Sequence, residues 1–187
     1  MSTKAVFLDR DGVINETIVR DRKPYPPSGT HELVLVEGAG KLLQDLKDAG
    51  FLLIVVTNQP DVRRGSMSRA DVEAIHECLS KALPLDDFFV CYHDDQDDCT
   101  CRKPRPGLLL QAAAKHDVDL TLSFCIGDRW RDVEAGVAAG CRTILIDYGY
   151  DERKSASDPS ITVPCLSEAV FWILKEKQRD EARSKPV

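Results

Sequence analysis

The stretch FLLIVVTN, residues 51–58, places six apolar residues in a row and ends them with threonine and asparagine. A strand with one solvent-exposed face would alternate polar and apolar residues. An unbroken apolar run rich in β-branched residues therefore indicates a strand buried on both faces, as in a parallel sheet. Four further short apolar runs predict strands of the same kind: KAVFLD (4–9), DFFVCY (87–92), LSFCIGD (122–128) and CRTILID (141–147).

The segments between these strands carry apolar residues at helical spacing. Leu42, Leu43 and Leu46 recur at this spacing before Gly50, a residue that favours a helix end. The same pattern predicts helices over 67–83, 106–116, 130–140 and 166–178. Strands that alternate with helices indicate an α/β domain with a doubly wound, mostly parallel sheet. No repeat or linker interrupts the pattern, so we expect one domain over residues 1–178 and a polar C-terminal tail over 179–187.

The composition is that of a soluble globular protein, with 43% hydrophobic and 30% charged residues among 187. No apolar run approaches the ~20 residues that a membrane span needs, and the first residues lack the pattern of a secretion signal. We therefore expect a cytoplasmic monomer without a membrane partner. The net charge of −6 gives no basic surface for nucleic acid. An anionic substrate would have to be attracted by a local cluster of arginine and lysine.

The end of the first strand, FLDRDG (7–12), carries a pair of carboxylates. Ligands of such sheets bind outside the carboxyl ends of the strands. Asp9 and Asp11 are two residues apart near an extended strand end, so both should face one crevice while Arg10 points the other way. Gly12 allows a sharp turn after them. The alternative is a pair of solvated aspartates in a turn, for which Asp-Gly is common.

Polar residues stand at the ends of three other strands. Thr57 and Asn58 offer a hydroxyl, an amide and backbone N–H groups to an oxyanion, although Thr-Asn is also a common turn. Arg102 and Lys103 suit phosphate oxygens, although a basic loop is often only solvated. Asp128 follows an apolar strand and precedes a helix, where it could bind Mg²⁺ or cap the helix.

The order of these residues along residues 4–147 resembles the haloacid dehalogenase superfamily. That family has a D-x-D motif, a Ser or Thr after the second strand, a lysine and a late Gly-Asp, and all four occur here in sequence. The resemblance implies a Rossmann-like fold of the haloacid dehalogenase type. No span between the motifs is long enough for a cap domain, so we expect the loops 17–36, 60–68 and 91–101 to surround the site entrance.

The resemblance also implies a chemistry for each residue. Asp9 would be the nucleophile that takes the phosphoryl group, and Asp11 the general acid and base. Mg²⁺ would lie between Asp9, the backbone carbonyl of Asp11 and Asp128. Thr57 and Lys103 would bind the phosphoryl oxygens. Candidate substrate-binding residues are Asn58, Gln59, Arg102 and Arg129, of which Arg102 is the best placed for a second phosphate or a hydroxyl.

The loop CYHDDQDDCTC (91–101) holds Cys91, His93, Cys99 and Cys101 in a C-x-H-x5-C-x-C spacing. Four sulfur and nitrogen ligands that close one tetrahedral site are typical of structural Zn²⁺. Free cysteines or a disulfide are the alternatives, and a reducing compartment disfavours the disulfide.

This loop before C-R-K-P resembles two phosphatase groups of the superfamily. FLDRDGVIN, VVTNQ and RRGSMS favour the heptose bisphosphate 7-phosphatases, whereas the five-residue gap between His93 and Cys99 is as close to the histidinol-phosphate phosphatases. The pair Arg129-Trp130 departs from the heptose pattern and leaves the substrate open. We favour a heptose bisphosphate substrate over histidinol phosphate. Less favoured alternatives are a sugar phosphomutase, which usually needs a cap to keep water out, and a zinc-stabilised binding module without catalysis.

Overall fold

The computed structural model describes residues 2–183 of the chain. In chain order the elements are β1 (Lys4–Leu8), β2 (Ile18–Arg20), β3 (Lys23–Tyr25), α1 (Ala39–Asp48), β4 (Phe51–Asn58), α2 (Asp61–Arg64), α3 (Arg69–Ala82), β5 (Asp87–Cys91), α4 (Gly107–His116), β6 (Phe124–Gly127), α5 (Trp130–Ala139), β7 (Arg142–Ile146), β8 (Ile161–Val163) and α6 (Leu166–Arg183). No helix within residues 2–183 is long and apolar enough to cross a membrane.

Six of the strands form one parallel sheet in the order β5-β4-β1-β6-β7-β8. The central strand β1 pairs with β4 on one side and with β6 on the other. The doubly wound parallel sheet predicted from the sequence is therefore confirmed. Because all six strands run the same way, their carboxyl ends meet at one edge of the sheet, and the site residues lie there.

Alternate residues of the strands face two separate apolar layers. Val6 and Leu8 of β1 pack with residues of α1, α3 and α6, whereas Ala5 and Phe7 pack with residues of α4 and α5. All four side chains are 0% exposed. A strand covered on both faces cannot place a polar residue in its middle at low cost, so the functional side chains are found at the carboxyl ends of the strands or just beyond them.

The structure contains short elements that the sequence pattern did not reveal. The segment 17–36, expected to be a loop, contains the antiparallel hairpin of β2 and β3. The segment 60–68 contains α2, and β8 adds a sixth strand at the sheet edge. Each of these elements has three or four residues, which is too short for a periodicity to be read from the sequence.

The end of the chain differs from the expected tail in its described part. Helix α6 continues to Arg183, so residues 179–183 extend the helix past the boundary predicted at residue 178. Residues 184–187 of the predicted tail lie outside the described residues. Cys125 and Cys141 are buried among apolar residues, whereas Cys78 is exposed and Cys165 is half-buried.

Candidate active site and metal centre

A cavity of about 360 Å³ opens at the carboxyl edge of the sheet. Eight carboxylates and six cations line it, together with Thr57, Asn58 and several neutral residues. The acids are Asp9, Asp11, Asp61, Asp95, Asp128, Asp132, Asp151 and Glu152, and the cations are Lys23, Arg64, Arg102, Lys103, Arg129 and Arg131. Since the acids outnumber the cations, a phosphate ester would be repelled unless a metal cation offsets part of the negative charge.

Asp9 lies directly after β1 with its carboxylate in this cavity. The backbone N–H of Asp9 donates to the carbonyl of Ile126 at 2.9 Å, which fixes the residue between β1 and β6. Its Oδ1 accepts from the backbone N–H of Arg10 at 2.8 Å and lies 2.9 Å from Lys103 Nζ. Burial raises the pKa of Asp9 to about 6, against the opposing effect of Lys103. A desolvated carboxylate beside a single ammonium is suited to nucleophilic attack.

Lys103 is buried to 2% exposure, and three oxygens surround its ammonium. Nζ lies 2.9 Å from Asp9 Oδ1 and 2.5 Å from Asp132 Oδ1, and it donates to the carbonyl of Val56 at 2.8 Å. Burial opposes the charge, but Asp132 and Asp9 outweigh it and raise the pKa of Lys103 above its ordinary value. The lysine is therefore a fixed cation next to the nucleophile.

Asp11 is bound by more donors than the sequence suggested. Its Oδ1 accepts from Arg10 Nε at 3.1 Å and from Asn15 Nδ2 at 2.9 Å. Its Oδ2 accepts from Arg10 Nη2 at 3.0 Å and from Gln59 Nε2 at 2.9 Å. Arg10 does not line the cavity, as expected, but its guanidinium binds the Asp11 carboxylate, a contact that the sequence did not predict.

Asp128 has no hydrogen bond of standard geometry, although the hydroxyl of Tyr150 lies close enough to act against the rise in its pKa. Asp128 is 4% exposed, and neither of its side-chain oxygens has a hydrogen-bond partner among residues 2–183. Burial raises the pKa of Asp128 well above its ordinary value, and the charges of Asp9 and Asp132 add to this effect. Buried carboxylates normally have partners. This unpartnered pair of oxygens therefore fits a bound cation.

The positions of the neighbouring carboxylates also fit a bound cation at Asp128. Carboxylate oxygens of Asp9, Asp128 and Asp132 all lie within 4.8 Å of one another. Oxygen atoms are the ligands that Mg²⁺ prefers. Gly12 makes room for the group: it has φ +83°, and a Cβ at this position would lie 2.0 Å from Asp128 Oδ2. Both oxygens of Asp132 are engaged, Oδ1 by Lys103 and Oδ2 by the backbone N–H of Arg129 at 3.1 Å. Both contacts of Asp9 are made by Oδ1, so Asp9 Oδ2 and Asp128 are the freer ligands.

Thr57, Asn58 and Gln59 lie together at the end of β4 but differ in what they contact. Thr57 lines the cavity, and its Oγ1 accepts from Gln59 Nε2 at 2.9 Å. Asn58 exchanges two hydrogen bonds of 3.1 Å with the backbone of Lys103. Gln59 is 1% exposed and holds Asp11 instead of lining the cavity. The amides predicted as substrate contacts thus act on neighbouring side chains and backbone in this structure.

The predicted zinc ligands Cys91, His93, Cys99 and Cys101 converge on one point. The three sulfur atoms lie 3.2–3.7 Å apart, and His93 Nδ1 lies 3.3 Å from the Cys101 sulfur and 3.6 Å from the Cys91 sulfur. Zn–S bonds of about 2.3 Å in a tetrahedron separate sulfur atoms by about 3.8 Å. Three thiolates and one imidazole are a donor set that fits structural zinc.

This cluster is joined closely to the helix that follows it. Gly107 begins α4, and a Cβ there would lie 2.2 Å from the carbonyl oxygen of Thr100. The glycine thus allows the loop backbone to pack directly against the helix start. The ligand Cys101 is followed at once by Arg102 and Lys103, so the position of the cluster determines where these two side chains originate.

Two arginines at the cavity entrance share one carboxylate. Arg102 Nε donates to Asp95 Oδ1 at 2.8 Å, and Arg131 Nη1 donates to the same oxygen at 3.1 Å. Arg129, the other predicted substrate contact, lines the cavity and pairs with Glu152, with Nε 3.0 Å from Oε2. The structure therefore brings Arg102 and Arg129 to the cavity, each already paired with an acid.

Three residues of this site were not predicted from the sequence. Asp132 pairs with Lys103, Arg10 binds Asp11, and Arg131 faces Asp95. Asp132 stands four residues after Asp128 in GDRWRD and could have been found, because the first turn of a helix after a strand end faces the same crevice. Gly127 carried a further signal, since a Cβ there would lie 2.0 Å from the Cβ of Asp132.

Comparisons with known proteins agree with this geometry. The HAD-hydrolase-like family model matches residues 100–169. D-glycero-β-D-manno-heptose-1,7-bisphosphate 7-phosphatase of Helicobacter pylori J99 is 34% identical over 180 residues, 92% of this chain and 98% of that protein. The protein of the same name from Escherichia coli K12 is 34% identical over 84% of this chain and 87% of its own length.

A solved structure shows the same fold. The crystal structure of D,D-heptose 1,7-bisphosphate phosphatase from B. bronchiseptica, complexed with magnesium and phosphate, matches with a TM-score of 0.76 at 28% identity, covering 93% of this chain and 99% of that chain. The nucleophile candidate, the buried lysine and the unpartnered carboxylate lie at the strand ends of this shared fold. With relatives 34% identical over most of both chains, this chain belongs to the haloacid dehalogenase superfamily, in the family of these phosphatases, and is a phosphatase.

Proposed function

We propose that this chain is a Mg²⁺-dependent phosphomonoester hydrolase that acts through an aspartyl phosphate on Asp9 and removes the 7-phosphate of D-glycero-D-manno-heptose 1,7-bisphosphate. One observation carries the chemistry: Asp9 lies beside the buried ammonium of Lys103 and within 4.8 Å of the unpartnered carboxylate of Asp128. The names of the relatives support the substrate.

In the first step an oxygen of Asp9 attacks the phosphorus atom, and the bond from phosphorus to the ester oxygen breaks. Asp11 gives its proton to the departing oxygen, so that the product leaves as an alcohol. Lys103 and the hydroxyl of Thr57 bind the phosphoryl oxygens, where charge stabilisation and alignment account for most of the rate. Both groups are almost fully buried, at 2% and 1% exposure, so their positions are set before the substrate binds. Because all three hydrogens of the ammonium already have acceptors, Lys103 exchanges one of these contacts for a phosphoryl oxygen.

In the second step a water oxygen attacks the phosphorus of the aspartyl phosphate, and the bond from phosphorus to the Asp9 oxygen breaks. The water proton passes to Asp11, which has lost its proton in the first step. Inorganic phosphate leaves, and both carboxyl groups return to their starting states. The four hydrogen bonds that its carboxylate accepts hold Asp11 in place for this transfer.

Mg²⁺, when bound, offsets the repulsion between the phosphate and the attacking carboxylate. Asp9, the backbone carbonyl of Asp11 and Asp128 are the proposed ligands. Zn²⁺ is proposed at Cys91, His93, Cys99 and Cys101. This set fills all four positions of a tetrahedron, so it leaves none open for catalysis, and its role is structural.

A second phosphate on the substrate gives a reason for the arginines at the entrance. Arg102 and Arg131 face one carboxylate oxygen of Asp95, 2.8 and 3.1 Å away. A guanidinium suits phosphate oxygens as well as it suits a carboxylate. We propose that Arg102, with Arg129 nearby, binds the phosphate that is not cleaved, in exchange for its present acidic partner. Asn58 and Gln59 then support the site from behind through Lys103 and Asp11.

The proposed setting is a cytoplasmic monomer that acts on a small sugar phosphate in the supply of heptose for lipopolysaccharide. A heptose bisphosphate carries two phosphates, and the cavity holds six cations that could receive them. The competing substrate is histidinol phosphate, whose ammonium group would suit the acids Asp61, Asp151 and Glu152 on the cavity wall.

The experiment is a panel of phosphate esters compared by kcat/KM, with phosphate release as the readout. The panel contains heptose 1,7-bisphosphate, heptose 7-phosphate and histidinol phosphate, each with and without Mg²⁺, and Asp9→Asn as the inactive control. We expect the highest kcat/KM for the bisphosphate and a lower value for the monophosphate of the same sugar. A preference for histidinol phosphate would reject the heptose assignment. Isomerised product without phosphate release would indicate a mutase, and no Mg²⁺-dependent turnover of any ester would reject hydrolysis.

A further inference from the structure

The largest fully buried side chain among residues 2–183 is that of Arg10, at 0% exposure. A guanidinium stays charged at any accessible pH, so its burial is expensive unless partners surround it. Arg10 lies between the two carboxylates of the reaction in sequence, and the two proposed steps do not use it. Its contacts therefore need an explanation of their own.

Arg10 binds Asp11 side-on with two hydrogen bonds. Nε donates to Oδ1 at 3.1 Å and Nη2 donates to Oδ2 at 3.0 Å. This two-point contact fixes the plane of the carboxylate as well as its place, which a single hydrogen bond cannot do. Asn15 and Gln59 add one donor to each oxygen at 2.9 Å. Asp11 is thus held in one orientation at the cavity wall.

Arg10 is itself held by His76 of α3. Nη1 of Arg10 lies 3.3 Å from His76 Nε2. Because a guanidinium can only donate, Nε2 accepts, so the His76 ring is neutral and carries its proton on Nδ1. Burial, and then the charge of Arg10, lower the pKa of His76 to about 4, in agreement with a neutral ring. His76 is 8% exposed and stacks on Phe88 with ring centroids 4.7 Å apart, which restricts its movement.

We propose that Arg10 is a positioning residue for the hydrolysis of the aspartyl phosphate, which holds the Asp11 carboxylate in the orientation of a base, and that His76 fixes Arg10 from behind. This inference rests on the proposed function, since it needs a covalent intermediate on Asp9. The guanidinium does not touch the reacting atoms. It acts through Asp11, which receives the proton of the attacking water as the bond between phosphorus and the Asp9 oxygen breaks.

The two steps should respond differently when Arg10 is changed. With 4-nitrophenyl phosphate the leaving phenolate is stable without a proton, so the first step does not depend on Asp11 as an acid. The second step always needs Asp11 as a base. Loss of the two-point contact should therefore slow hydrolysis of the intermediate and leave its formation fast. General damage to the site would slow both steps.

The experiment measures steady-state turnover and the amount of acid-stable phosphoprotein formed with 4-nitrophenyl phosphate and Mg²⁺. Arg10→Gln should lower turnover by roughly 10–100-fold, a fraction of what a general base contributes, while phosphoprotein accumulates. Asp11→Asn is the reference for a blocked second step and should also accumulate it. Adding Arg10→Gln to Asp11→Asn should cause no further loss, because residues that act through one group are not additive.

Matched variants cover the case in which Arg10→Gln fails to fold. Arg10→Lys keeps the charge and most of the volume but cannot make the two-point contact with Asp11. It should therefore accumulate phosphoprotein as Arg10→Gln does. His76→Gln keeps an acceptor for Nη1 and should behave like the unchanged protein, whereas His76→Leu removes it and should show a weaker form of the Arg10 effect. Folding is checked by thermal melting.

The outcomes separate the two proposals. If Asp11→Asn forms no phosphoprotein, or if Asp9→Asn does form it, the aspartyl-phosphate proposal fails, and the inference about Arg10 fails with it. If Asp11→Asn accumulates phosphoprotein, but the folded Arg10 variants have slow turnover without accumulating it, only the role of Arg10 is refuted. Unchanged turnover in Arg10→Lys and His76→Leu would refute it equally.

Discussion

Asp128→Asn should make the metal-free protein more stable and the enzyme inactive. The substitution keeps the shape of the side chain and removes its charge. In the structure that charge is buried, has no hydrogen-bond partner, and lies within 4.8 Å of carboxylate oxygens of Asp9 and Asp132. An unsatisfied buried group costs about 1–3 kcal/mol, and more when charged. We therefore expect the variant in chelator to melt roughly 2–12 °C higher, at 2–4 °C per kcal/mol for a chain of this size.

Added Mg²⁺ should reverse the order of the melting temperatures of the unchanged protein and Asp128→Asn. A ligand at a hundred times its Kd stabilises the folded state by about 2.7 kcal/mol, so the unchanged protein should gain several degrees. The variant lacks a ligand oxygen and should gain little. Thermal melting at neutral pH with and without Mg²⁺ measures both effects, and phosphate release measures activity.

Asp132→Asn is the matched control, since it alters the same type of residue in the same cavity. Its carboxylate lies 2.5 Å from Lys103 Nζ. Breaking a buried ion pair costs about 3–5 kcal/mol, near the lower end here because Asp9 remains a partner of the lysine. This variant should therefore melt lower in chelator. A lower melting temperature for Asp128→Asn, or an Mg²⁺ response equal to that of the unchanged protein, would refute our assignment of Asp128 as the metal ligand.

Four further predictions follow from single contacts. Asp9→Asn should abolish phosphate release with little loss of folding. Because the folded pKa of Asp9 is raised to about 6, the chelated protein should lose stability as pH rises from about 4 to about 6, and thermal melts of the variant should show a smaller slope, since the raised pKa of Asp128 still contributes. Cys101→Ser should lower the zinc content from one per chain by elemental analysis and raise KM, and a fully active protein without zinc would contradict the site. Arg102→Ala should raise KM for a bisphosphate about tenfold or more and for a monophosphate less, with zinc retained; equal effects on both esters would remove Arg102 from the second phosphate. Gly12→Ala should abolish the Mg²⁺ response of activity, since its Cβ would lie 2.0 Å from Asp128 Oδ2, and a normal Mg²⁺ titration would show that the backbone can shift.

The sequence was sufficient for residues whose place follows from the sheet alone. Asp9, Thr57 and Asp128 each stand at the end of an apolar strand, and the carboxyl ends of parallel strands must meet at one edge. The convergence of the four proposed zinc ligands could be predicted for a similar reason, since their spacing within eleven residues leaves few ways to arrange them. In both cases the backbone direction determines which groups meet, and the hydrophobic pattern reveals that direction.

Contacts that depend on the path of a long side chain could not be predicted from the sequence. Alternation along a strand predicts that Arg10 and Asp11 point to opposite sides. The guanidinium lies several bonds further on, and it bends back because Asp11 on one side and His76 on the other satisfy a charge that is buried to 0% exposure. His76 is more than sixty residues away in the chain, so no local pattern connects it with the acid and base. Charge pairing in the folded core decides this contact.

The same distinction applies to the basic pair that follows the cluster of Cys91, His93, Cys99 and Cys101. The backbone of Lys103 is held from the sheet side by Asn58, through two hydrogen bonds of 3.1 Å, and its ammonium by Asp9 and Asp132. The side chain of Arg102 has no such support: its hydrogen bonds within residues 2–183 go to His93 and Asp95, both inside the loop. If zinc orders this loop, its removal should release Arg102 while Lys103 stays in place. The cluster would then control the binding of the distant part of the substrate, and the nucleophile and its lysine would remain able to react.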